Sequence, residues 1–326
     1  MKMQAAITRE KGKFSMETVE ISEPKTGEVL VKMVASGICH TDTAVIEQFL
    51  PVTFPMLAGH EGVGVVEKIG AGVKDLAPGD RVILTFPSCG VCDSCLESHP
   101  YACEDNFQLF FGGNYADGTK RITTEDGKEV GIMFGQGSFA TYAIADQKNA
   151  IKVDVTVDEL KGLCSLGCGI QTGAGAVLNR MKPRAGSSIA VFGMGAVGLA
   201  GIMAAKIAGC STIIAVHGRR GKELALEFGA THTLNGRDGD VAAKIKEITG
   251  GKGVNFALEC AGTPDLVVTM LNSMAKEGTA ILVSVTGETE VPIKLEPQIM
   301  NPSVTIAGAV EGCSSPKVFI PELVKF

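Results

Sequence analysis

The stretch Val191-Phe192-Gly193-Met194-Gly195-Ala196-Val197-Gly198 carries the pattern G-x-G-x-x-G. It lies at the end of a predicted strand, 188–192, and at the start of a predicted helix, 196–208. A glycine pattern in this context is typical of a turn that binds the pyrophosphate of a dinucleotide, because free backbone N–H groups and the positive end of the helix dipole face the phosphates. The alternative is a glycine-rich helix contact that binds no ligand.

Each residue of this turn has a predicted role. Gly193 allows the tight turn, Gly195 lets the pyrophosphate approach the backbone, and Gly198 lets the helix pack closely on the strand. The first residues of the helix supply backbone N–H groups that have no partner within the helix. The predicted cofactor contacts here are therefore Gly193, Gly195, Ala196, Val197 and Gly198.

Around this turn, from residue 186 onward, short β-branched runs alternate with helical stretches. The alternation predicts the doubly wound α/β class, a parallel sheet with helices on both faces. The predicted strands are Ser188–Phe192, Thr212–Val216, Val254–Leu258 and Ala280–Ser284, and the predicted helices are Ala196–Ala208, Arg219–Phe228, Val241–Thr249 and Leu266–Ala275. The uncharged run from Ile189 to Ala205 admits a membrane span as an alternative, but it is slightly short for one and rich in glycine.

Length and charge narrow the class of protein further. A chain of 326 residues suggests about two domains. The net charge of −6 argues against a nucleic-acid or anionic-membrane surface, so we predict neither partner. Before residue 166, apolar runs bounded by turn residues predict a β-rich domain, as at 29–34, 62–67 and 81–84. The polar stretch 118–131 predicts a surface hairpin or loop.

The ten cysteines need an explanation, because the N-terminus lacks a basic region followed by an apolar run and so predicts a cytoplasmic chain without disulfides. Four of them follow the spacing Cys89-x2-Cys92-x2-Cys95-x7-Cys103. Four thiolates so close in sequence can form a closed tetrahedral shell, the geometry of structural zinc. Two disulfides or an iron–sulfur cluster are the alternatives. A closed shell leaves no open position, so we predict that this site stabilises the fold.

A second metal site is predicted from three dispersed residues, Cys39, His60 and Cys168. Each alone is a weak signal, since a lone cysteine is usually a small core residue. Together they supply two thiolates and one imidazole, a catalytic zinc shell whose fourth position stays open for water or a substrate oxygen. Asp42 and Glu61 stand beside ligands, and we predict that they orient them.

These motifs resemble those of the zinc-dependent medium-chain alcohol dehydrogenases, and the resemblance spans the whole chain. Within that family the sequence is most similar to the aryl-alcohol (benzyl-alcohol) dehydrogenases. The family motifs are Gly37-Ile38-Cys39-His40-Thr41-Asp42, Gly59-His60-Glu61-Gly62, the four-cysteine spacing, Gly167-Cys168-Gly169 and the glycine turn. The aryl-alcohol features are Cys168-Gly169-Ile170-Gln171-Thr172-Gly173-Ala174-Gly175, Phe110-Phe111-Gly112-Gly113 and Pro316-Lys317-x-Phe319-Ile320-Pro321-Glu322-Leu323.

The resemblance implies a GroES-like catalytic domain over residues 1–165 and a Rossmann NAD(P)-binding domain over residues 166–308, with the active site in the cleft between them. Residues 309–326 are then expected to begin a return to the catalytic domain, which in family members usually continues beyond the position of Phe326. The run Val304–Gly308 predicts an edge strand that pairs across a two-fold axis, which favours a homodimer or homotetramer.

The resemblance also implies roles for single residues. The three dispersed ligands hold a catalytic zinc, Thr41 passes the alcohol proton outward, and His40 stands near the cofactor pyrophosphate. Some members place a histidine a few residues after the threonine to end the proton relay. This chain has Thr43-Ala44-Val45 there, so the relay is expected to end through the ribose hydroxyls and water.

The reaction implied is hydride transfer between a primary aryl or allylic alcohol and NAD(P), with one catalytic and one structural zinc per chain. Phe49, Phe54, Phe86 and Phe107 lie near the ligands in sequence and either line the substrate site or belong to the ordinary core. Two alternative functions stay open, a glutathione-linked formaldehyde dehydrogenase of the same fold and an inactive, C-terminally truncated relative.

Cofactor choice is predicted at the end of the second strand of the parallel sheet. Selectivity for NAD places a carboxylate there, about 20 residues beyond the glycines. This chain has His217-Gly218-Arg219-Arg220 instead. The two guanidiniums can bind a 2′-phosphate, although a solvated start of the next helix is the alternative. We therefore predict that His217, Arg219 and Arg220 contact the cofactor and that NADP is preferred over NAD.

Overall fold

The computed structural model describes residues 1–219 and 221–326, so the predicted cofactor contact Arg220 lies outside the described residues. The described chain forms two compact units. The first contains Met1–Cys168 and Ser315–Phe326, and the second contains Gly169–Ser314, whereas the boundaries predicted from sequence were 165/166 and 308/309. Over the same described ranges, every helix is too short or too polar to reach across a lipid bilayer.

The first unit is rich in β-structure, as predicted. Its strands are β1 (Lys2–Glu10), β2 (Lys13–Ile21), β3 (Glu28–Gly37), β4 (Met56–Leu57), β5 (Glu61–Ile69), β6 (Arg81–Leu84), β7 (Ile122–Thr124), β8 (Glu129–Ile132), β9 (Tyr142–Asp146) and β10 (Ala150–Lys152). Strands β1-β2-β7-β8-β4 close into a barrel, and a second sheet has the order β10-β6-β5-β3-β9. The helices in residues 1–168 are α1 (His40–Ile46), α2 (Asp93–Leu96), α3 (Asn106–Phe111) and α4 (Val157–Lys161), with tight turns at Pro100–Ala102 and Cys164–Gly167.

Alternating apolar residues build the barrel. On β1, Met3, Ala5 and Ile7 are buried in one cluster with residues from β2, β7 and β8. Side chains on one strand alternate between two faces, so this spacing turns one face of β1 to the core. The polar stretch 118–131 contains the predicted hairpin, because β7 pairs antiparallel with β8 through Ile122 and Val130.

The second unit is a six-stranded parallel sheet with the order β13-β12-β11-β14-β15-β16, which confirms the predicted doubly wound class. Its strands are β11 (Ser188–Phe192), β12 (Thr212–His217), β13 (His232–Asn235), β14 (Val254–Glu259), β15 (Met274–Leu282) and β16 (Thr305–Gly308). Its helices are α5 (Gly169–Gly175), α6 (Ala196–Ile207), α7 (Lys222–Phe228), α8 (Val241–Ile248) and α9 (Pro264–Asn272), with π-helical stretches at Ala176–Met181 and Glu296–Met300 and a turn at Val310–Cys313.

Several predicted bounds in this unit are wrong. The strand predicted at 280–284 spans Met274–Leu282. The predicted helix 266–275 ends at Asn272, because Met274 already pairs with Val254 and begins β15. The helix predicted to begin at Arg219 begins at Lys222, after Gly221 with a φ of +97°. For both helices, strand pairing or a glycine turn overrides local helix propensity.

The chain then returns to the first unit. Helix α10 (Pro316–Leu323) contacts β10 and the turn Cys164–Gly167. Proline stands at its first turn, where no backbone N–H is required. An ion pair of 3.3 Å joins Lys317 Nζ to Asp75 Oδ2, and Phe319 is buried. The last residues of the described chain therefore belong to the β-rich unit.

A charged cluster supports the barrel beside Tyr115. Arg121 is buried and lies over the Tyr115 ring at 4.6 Å from its centroid. Its guanidinium donates to Glu28 and, at 2.9 Å, to Asp117. Partial burial alone raises the pKa of Asp117, but hydrogen bonds from Lys25, Thr119 and Arg121 outweigh it and hold that pKa well below its usual value.

We expect Asp117→Asn to destabilise the protein in a pH-dependent way. A carboxyl whose pKa is lower in the folded chain stabilises the fold above its unfolded pKa of about 3.9, and that contribution is lost as the pH falls towards the folded pKa. Asp117 is partly exposed, so the loss at pH 7 should be about 1 kcal/mol or less. Denaturant unfolding from pH 7 down to pH 3 checks this.

The matched control is Asp75→Asn, which removes an exposed aspartate that forms an ion pair with Lys317. The difference in the free energy of unfolding between Asp117→Asn and the unaltered protein should become smaller below about pH 4. A difference that stays constant down to pH 3 would contradict the assignment of this stability to the Asp117 charge.

Candidate metal centres and cofactor turn

The three dispersed ligand candidates come together in the first unit. The sulfurs of Cys39 and Cys168 and a ring nitrogen of His60 all lie within 4.8 Å of one another. Cys39 stands between β3 and α1, His60 directly precedes β5, and Cys168 follows the turn Cys164–Gly167. His60 and Cys168 are buried and Cys39 is half-buried. Tertiary structure therefore assembles a set that is scattered along the sequence.

The carboxylate of Asp42 ties two of these residues together. Its Oδ2 accepts a hydrogen bond of 2.9 Å from the backbone N–H of Cys39. Its Oδ1 accepts from His60 Nδ1 at 2.8 Å and from the backbone N–H of Gly59 at 3.0 Å. Asp42 is buried, and a buried carboxylate needs such donors. Because Nδ1 donates to Asp42, His60 presents Nε2 to the two cysteine sulfurs.

The environment of His60 Nε2 shows that a metal ion fits this cluster. The atom is buried and, within residues 1–219 and 221–326, has no hydrogen-bond partner. A buried polar atom without a partner costs free energy, and a metal ion supplies the missing partner. Two thiolates and one imidazole are a donor set that suits Zn²⁺. The residues present therefore fit a zinc ion with an open fourth position.

The charges of these groups favour metal binding. The hydrogen bond with Cys168 and the nearby His60 outweigh burial and lower the pKa of Cys39 to about 3. Burial of His60 opposes its protonation, but Asp42 and the neighbouring Cys39 raise the pKa of His60 to about 10. A thiolate at Cys39 is the form that binds metal, and metal binding displaces the proton from the imidazole.

Cys168 is placed by a contact between its neighbour and β6. The Thr85 hydroxyl donates to the carbonyl of Gly167 at 2.8 Å. A Cβ at Gly167 would lie 2.2 Å from the carbonyl oxygen of Leu84, so only glycine allows this approach. The remaining cysteine nearby, Cys164, lies outside the three-ligand cluster, and its Sγ is 3.3 Å from the carbonyl oxygen of Lys161.

The other predicted residues of this region lie close to the cluster. Thr41 is half-buried, with Oγ1 3.7 Å from Cys39 Sγ. His40 is the exposed first residue of α1. Glu61 is buried at the start of β5, opposite Gly37 of β3. Of the four phenylalanines considered, Phe86 is buried and Phe54 half-buried, whereas Phe49 and Phe107 are exposed.

The four-cysteine set also comes together. The sulfurs of Cys89, Cys92, Cys95 and Cys103 all lie within 4.8 Å of one another. Backbone N–H groups point at them, from Cys89 to Cys103 Sγ at 3.3 Å and from Cys92 to Cys89 Sγ at 3.3 Å. The N–H groups of Val91 and Cys92 lower the pKa of Cys89 to about 7, and burial raises that of Cys103 to about 12. Among the described residues no cysteine is in a disulfide, so the disulfide alternative is wrong.

The glycine turn of the second unit has the features that phosphate binding requires. Gly193 follows β11 with a φ of +101°, which favours glycine. A Cβ at Gly198 would lie 1.8 Å from the carbonyl oxygen of Gly193, so α6 can pack this closely only on glycine. A Cβ at Gly195 would meet no atom within 4 Å, which leaves open space beside the start of α6 at Ala196. Val197 follows in the first helical turn.

The predicted selectivity residues stand at the end of β12. His217 is its last residue, with Nδ1 2.8 Å from the carbonyl oxygen of Gly218. A Cβ at Gly218 would also meet no atom within 4 Å, and Arg219 is exposed. This end of the strand thus carries an imidazole and a guanidinium.

Sequence motifs did not reveal one segment that touches His60. The turn Met133–Phe139 places the Phe134 ring against the imidazole and the Gln136 side chain against its backbone. Its sequence, Met133-Phe134-Gly135-Gln136-Gly137-Ser138-Phe139, signals only a glycine turn. A contact so distant along the chain leaves no local pattern to detect.

We expect Asp42→Asn to weaken metal binding at the three-ligand cluster. The amide has one oxygen where the carboxylate offers two, so its NH₂ group must face an N–H donor. Loss of such an orienting carboxylate typically costs about 10–100-fold in metal affinity. Chelator competition on the metal-loaded protein measures the effect. Asp240→Asn, which alters an exposed aspartate that caps α8, should leave affinity unchanged, and equal affinity in both variants would contradict the role of Asp42.

Comparison with known proteins agrees with this geometry. Residues 25–155 match the model of the alcohol dehydrogenase GroES-like domain, and residues 196–325 match that of the zinc-binding dehydrogenases. Geraniol dehydrogenase of Castellaniella defragrans is 39% identical over 328 residues, which cover 99% of this chain and 87% of that protein.

Solved structures agree as well. A zinc-binding-domain alcohol dehydrogenase from Burkholderia ambifaria is 46% identical, with a TM-score of 0.95, and the match covers 100% of this chain and 88% of that one. Benzyl alcohol dehydrogenase from Acinetobacter calcoaceticus is 41% identical, with a TM-score of 0.94 and the same coverage of 100% and 88%. These matches confirm the resemblance and the GroES-like and Rossmann classes. The chain belongs to the zinc-dependent medium-chain alcohol dehydrogenase family.

Proposed function

We propose that this dehydrogenase interconverts a primary aryl or allylic alcohol and its aldehyde, with NADP as the hydride carrier and zinc at Cys39, His60 and Cys168. The proposal rests on His60, whose buried Nε2 has no hydrogen-bond partner in the described part of the chain and whose ring lies with a nitrogen within 4.8 Å of two cysteine sulfurs. The relatives that act on geraniol, an allylic alcohol, and on benzyl alcohol, an aryl alcohol, support the substrate class.

The chain's own residues orient the reacting groups and move the proton. When bound, zinc supplies the Lewis acidity that lowers the pKa of the alcohol, and the nicotinamide supplies the hydride acceptor. Thr41 Oγ1 lies 3.7 Å from Cys39 Sγ, so its hydroxyl is placed to accept the proton of an alcohol held at the three-ligand cluster. Asp42 and Glu61 orient the ligands. Thr43-Ala44-Val45 offers no imidazole, so a proton held by Thr41 would pass to water or to a ribose hydroxyl of a bound cofactor, and the exposed His40 would supply a basic group for its pyrophosphate.

An apolar wall beside His60 supports an aromatic or allylic substrate. Phe86, Phe110 and Phe134 are buried in one cluster with Val45 and Met133. These residues keep water away from His60, and such apolar surroundings favour an uncharged substrate over a charged one.

We further propose a structural zinc, a homo-oligomer and a cytoplasmic location. The closed four-cysteine shell holds a structural zinc, supported by its backbone N–H contacts to sulfur. The edge position of β16 supports pairing with a second copy in a homodimer or homotetramer. The ten cysteines of the chain, none in a disulfide among the described residues, support a reducing, cytoplasmic compartment.

We expect the purified protein to contain two zinc ions per chain and to oxidise benzyl alcohol or geraniol with NADP. Cys39→Ser should abolish turnover and leave the fold intact, whereas the matched Cys95→Ser should first lower the melting temperature, because a closed site contributes to folding. Reduced-nicotinamide absorbance, metal analysis and thermal unfolding measure these effects. Activity on formaldehyde that requires glutathione would overturn the substrate class, and folded protein inert toward all these substrates would overturn the function.

Cofactor preference has its own test. The end of β12 lacks the carboxylate that repels a 2′-phosphate and carries His217 and Arg219 beside an open Gly218. We expect a higher kcat/KM with NADP than with NAD, a loss of that preference in Arg219→Ala, and a shift towards NAD in His217→Asp. Arg184→Ala, which removes an arginine between α5 and β11, is the matched control. A tenfold preference for NAD in the unaltered protein, about 1.4 kcal/mol, would contradict the prediction.

A further inference from the structure

We propose that the turn Met133–Phe139 positions His60 for metal binding, and that Phe134 and Gln136 are its two positioning residues. Phe134 fixes the plane of the imidazole, and Gln136 fixes the backbone on either side of the ligand. This inference rests on the proposed function, because it concerns the metal ligand His60.

Phe134 restrains the ring plane that Asp42 leaves free. The hydrogen bond to Asp42 Oδ1 fixes the position of Nδ1, but the imidazole can still pivot about that bond. The Phe134 ring stacks on the imidazole with centroids 4.7 Å apart and planes at 29°. Phe110 stacks on Phe134 with ring centroids 4.2 Å apart, which holds the Phe134 ring in place. Together the two contacts aim Nε2 at the cysteine sulfurs.

The backbone of Phe134 adopts a conformation that is costly for this residue. Its φ is +52°, in the left-handed region, where a bulky side chain costs about 1–2 kcal/mol relative to glycine. Its N–H donates to the carbonyl of Phe110 at 2.8 Å, which helps to hold the conformation. Gly135 and Gly137, both with a φ of +60°, stand nearby in the same turn. A phenylalanine here is explained by the contact that its ring makes with His60.

Gln136 joins the backbone around His60 to Thr85, the residue that contacts the segment before Cys168. Its Nε2 donates to the carbonyl of His60 at 3.0 Å and reaches the carbonyl of Thr85 at 3.5 Å. Its Oε1 accepts from the backbone N–H of Gly62 at 3.2 Å. Thr85 in turn holds Gly167, directly before Cys168. One buried amide therefore connects the backbone around His60 to the strand that places Cys168.

The turn also explains both glycines of Gly59-His60-Glu61-Gly62. The N–H of Ser138 donates to the carbonyl of Gly59 at 2.9 Å. A Cβ at Gly59 would lie 2.5 Å from the backbone nitrogen of Phe139, and one at Gly62 would lie 2.7 Å from Ser138 Cβ. A side chain at Gly59 or at Gly62 would collide with the turn Met133–Phe139. The turn therefore packs closely against the backbone on both sides of His60.

The test measures how tightly the cluster holds its metal. Phe134→Leu and Gln136→Leu should release one of the two zinc ions to a chelator about tenfold faster or more, the range seen when an orienting partner of a ligand is lost. The release of the four-cysteine zinc should not change. In the cobalt-substituted protein both variants should shift the visible absorption bands, which report the geometry of the ligands. Turnover should fall mainly in kcat.

Two controls separate positioning from general stability. Phe192→Leu and Gln298→Leu alter a buried phenylalanine of β11 and a buried glutamine that accepts from the N–H of Lys294. Both should lower the melting temperature but leave zinc release and the cobalt spectrum unchanged. If Phe134→Leu does not fold, Phe134→Met removes the flat ring while keeping the apolar volume. If Gln136→Leu does not fold, Gln136→Glu tests its role, because it keeps the acceptor for Gly62 and loses the donor to His60.

The outcomes are distinct. If the unaltered protein binds zinc at the four cysteines alone, the proposed function fails. If it binds zinc at Cys39, His60 and Cys168, but the Phe134 and Gln136 variants release that ion at the unaltered rate with the unaltered cobalt spectrum, the function stands and this inference is overturned.

Discussion

The buried carboxylate of Asp42 is the interaction on which the candidate active site depends. It accepts three hydrogen bonds, from the N–H of Cys39, the N–H of Gly59 and Nδ1 of His60. Removing such a charge from water is costly unless donors surround it, so the fold brings these donors to one point. The same contacts join the start of α1 to the segment before β5 and set the tautomer of the ligand. The Asp42 carboxylate therefore contributes both to the stability of the fold and to the geometry of the ligands.

The two candidate metal clusters of the first unit differ in how the fold brings their ligands together. The four-cysteine cluster is local, because a short loop brings its own backbone N–H groups to its sulfurs. The three-ligand cluster is assembled from distant segments, and each ligand needs outside support. Asp42 serves Cys39 and His60, and the contact of Thr85 with Gly167 serves Cys168. Local closure suits a structural ion, whereas a site with an open position relies on tertiary contacts for its geometry.

Sequence patterns predicted the features that are determined by residues close together in the chain. The glycine turn, the strand Ser188–Phe192 and the cysteine spacing each follow from neighbours in sequence, and the structure places them as expected. The turn that carries Gln136 escaped prediction, because its contact with His60 spans 76 residues of chain. The start of β15 at Met274 was missed for a similar reason, since pairing with Val254 decides it. Cys39, His60 and Cys168 could be predicted as one ligand set because each of them lies in a family motif. Their spacing along the sequence alone does not indicate a common site.

Anomalous diffraction at the zinc edge from crystals of the purified protein would show whether each chain holds zinc at both clusters. We expect two peaks per chain, one bounded by Cys39 Sγ, His60 Nε2 and Cys168 Sγ, and one among Cys89, Cys92, Cys95 and Cys103. A single peak among the four cysteines, with His60 Nε2 hydrogen-bonded to a protein group instead, would contradict this expectation.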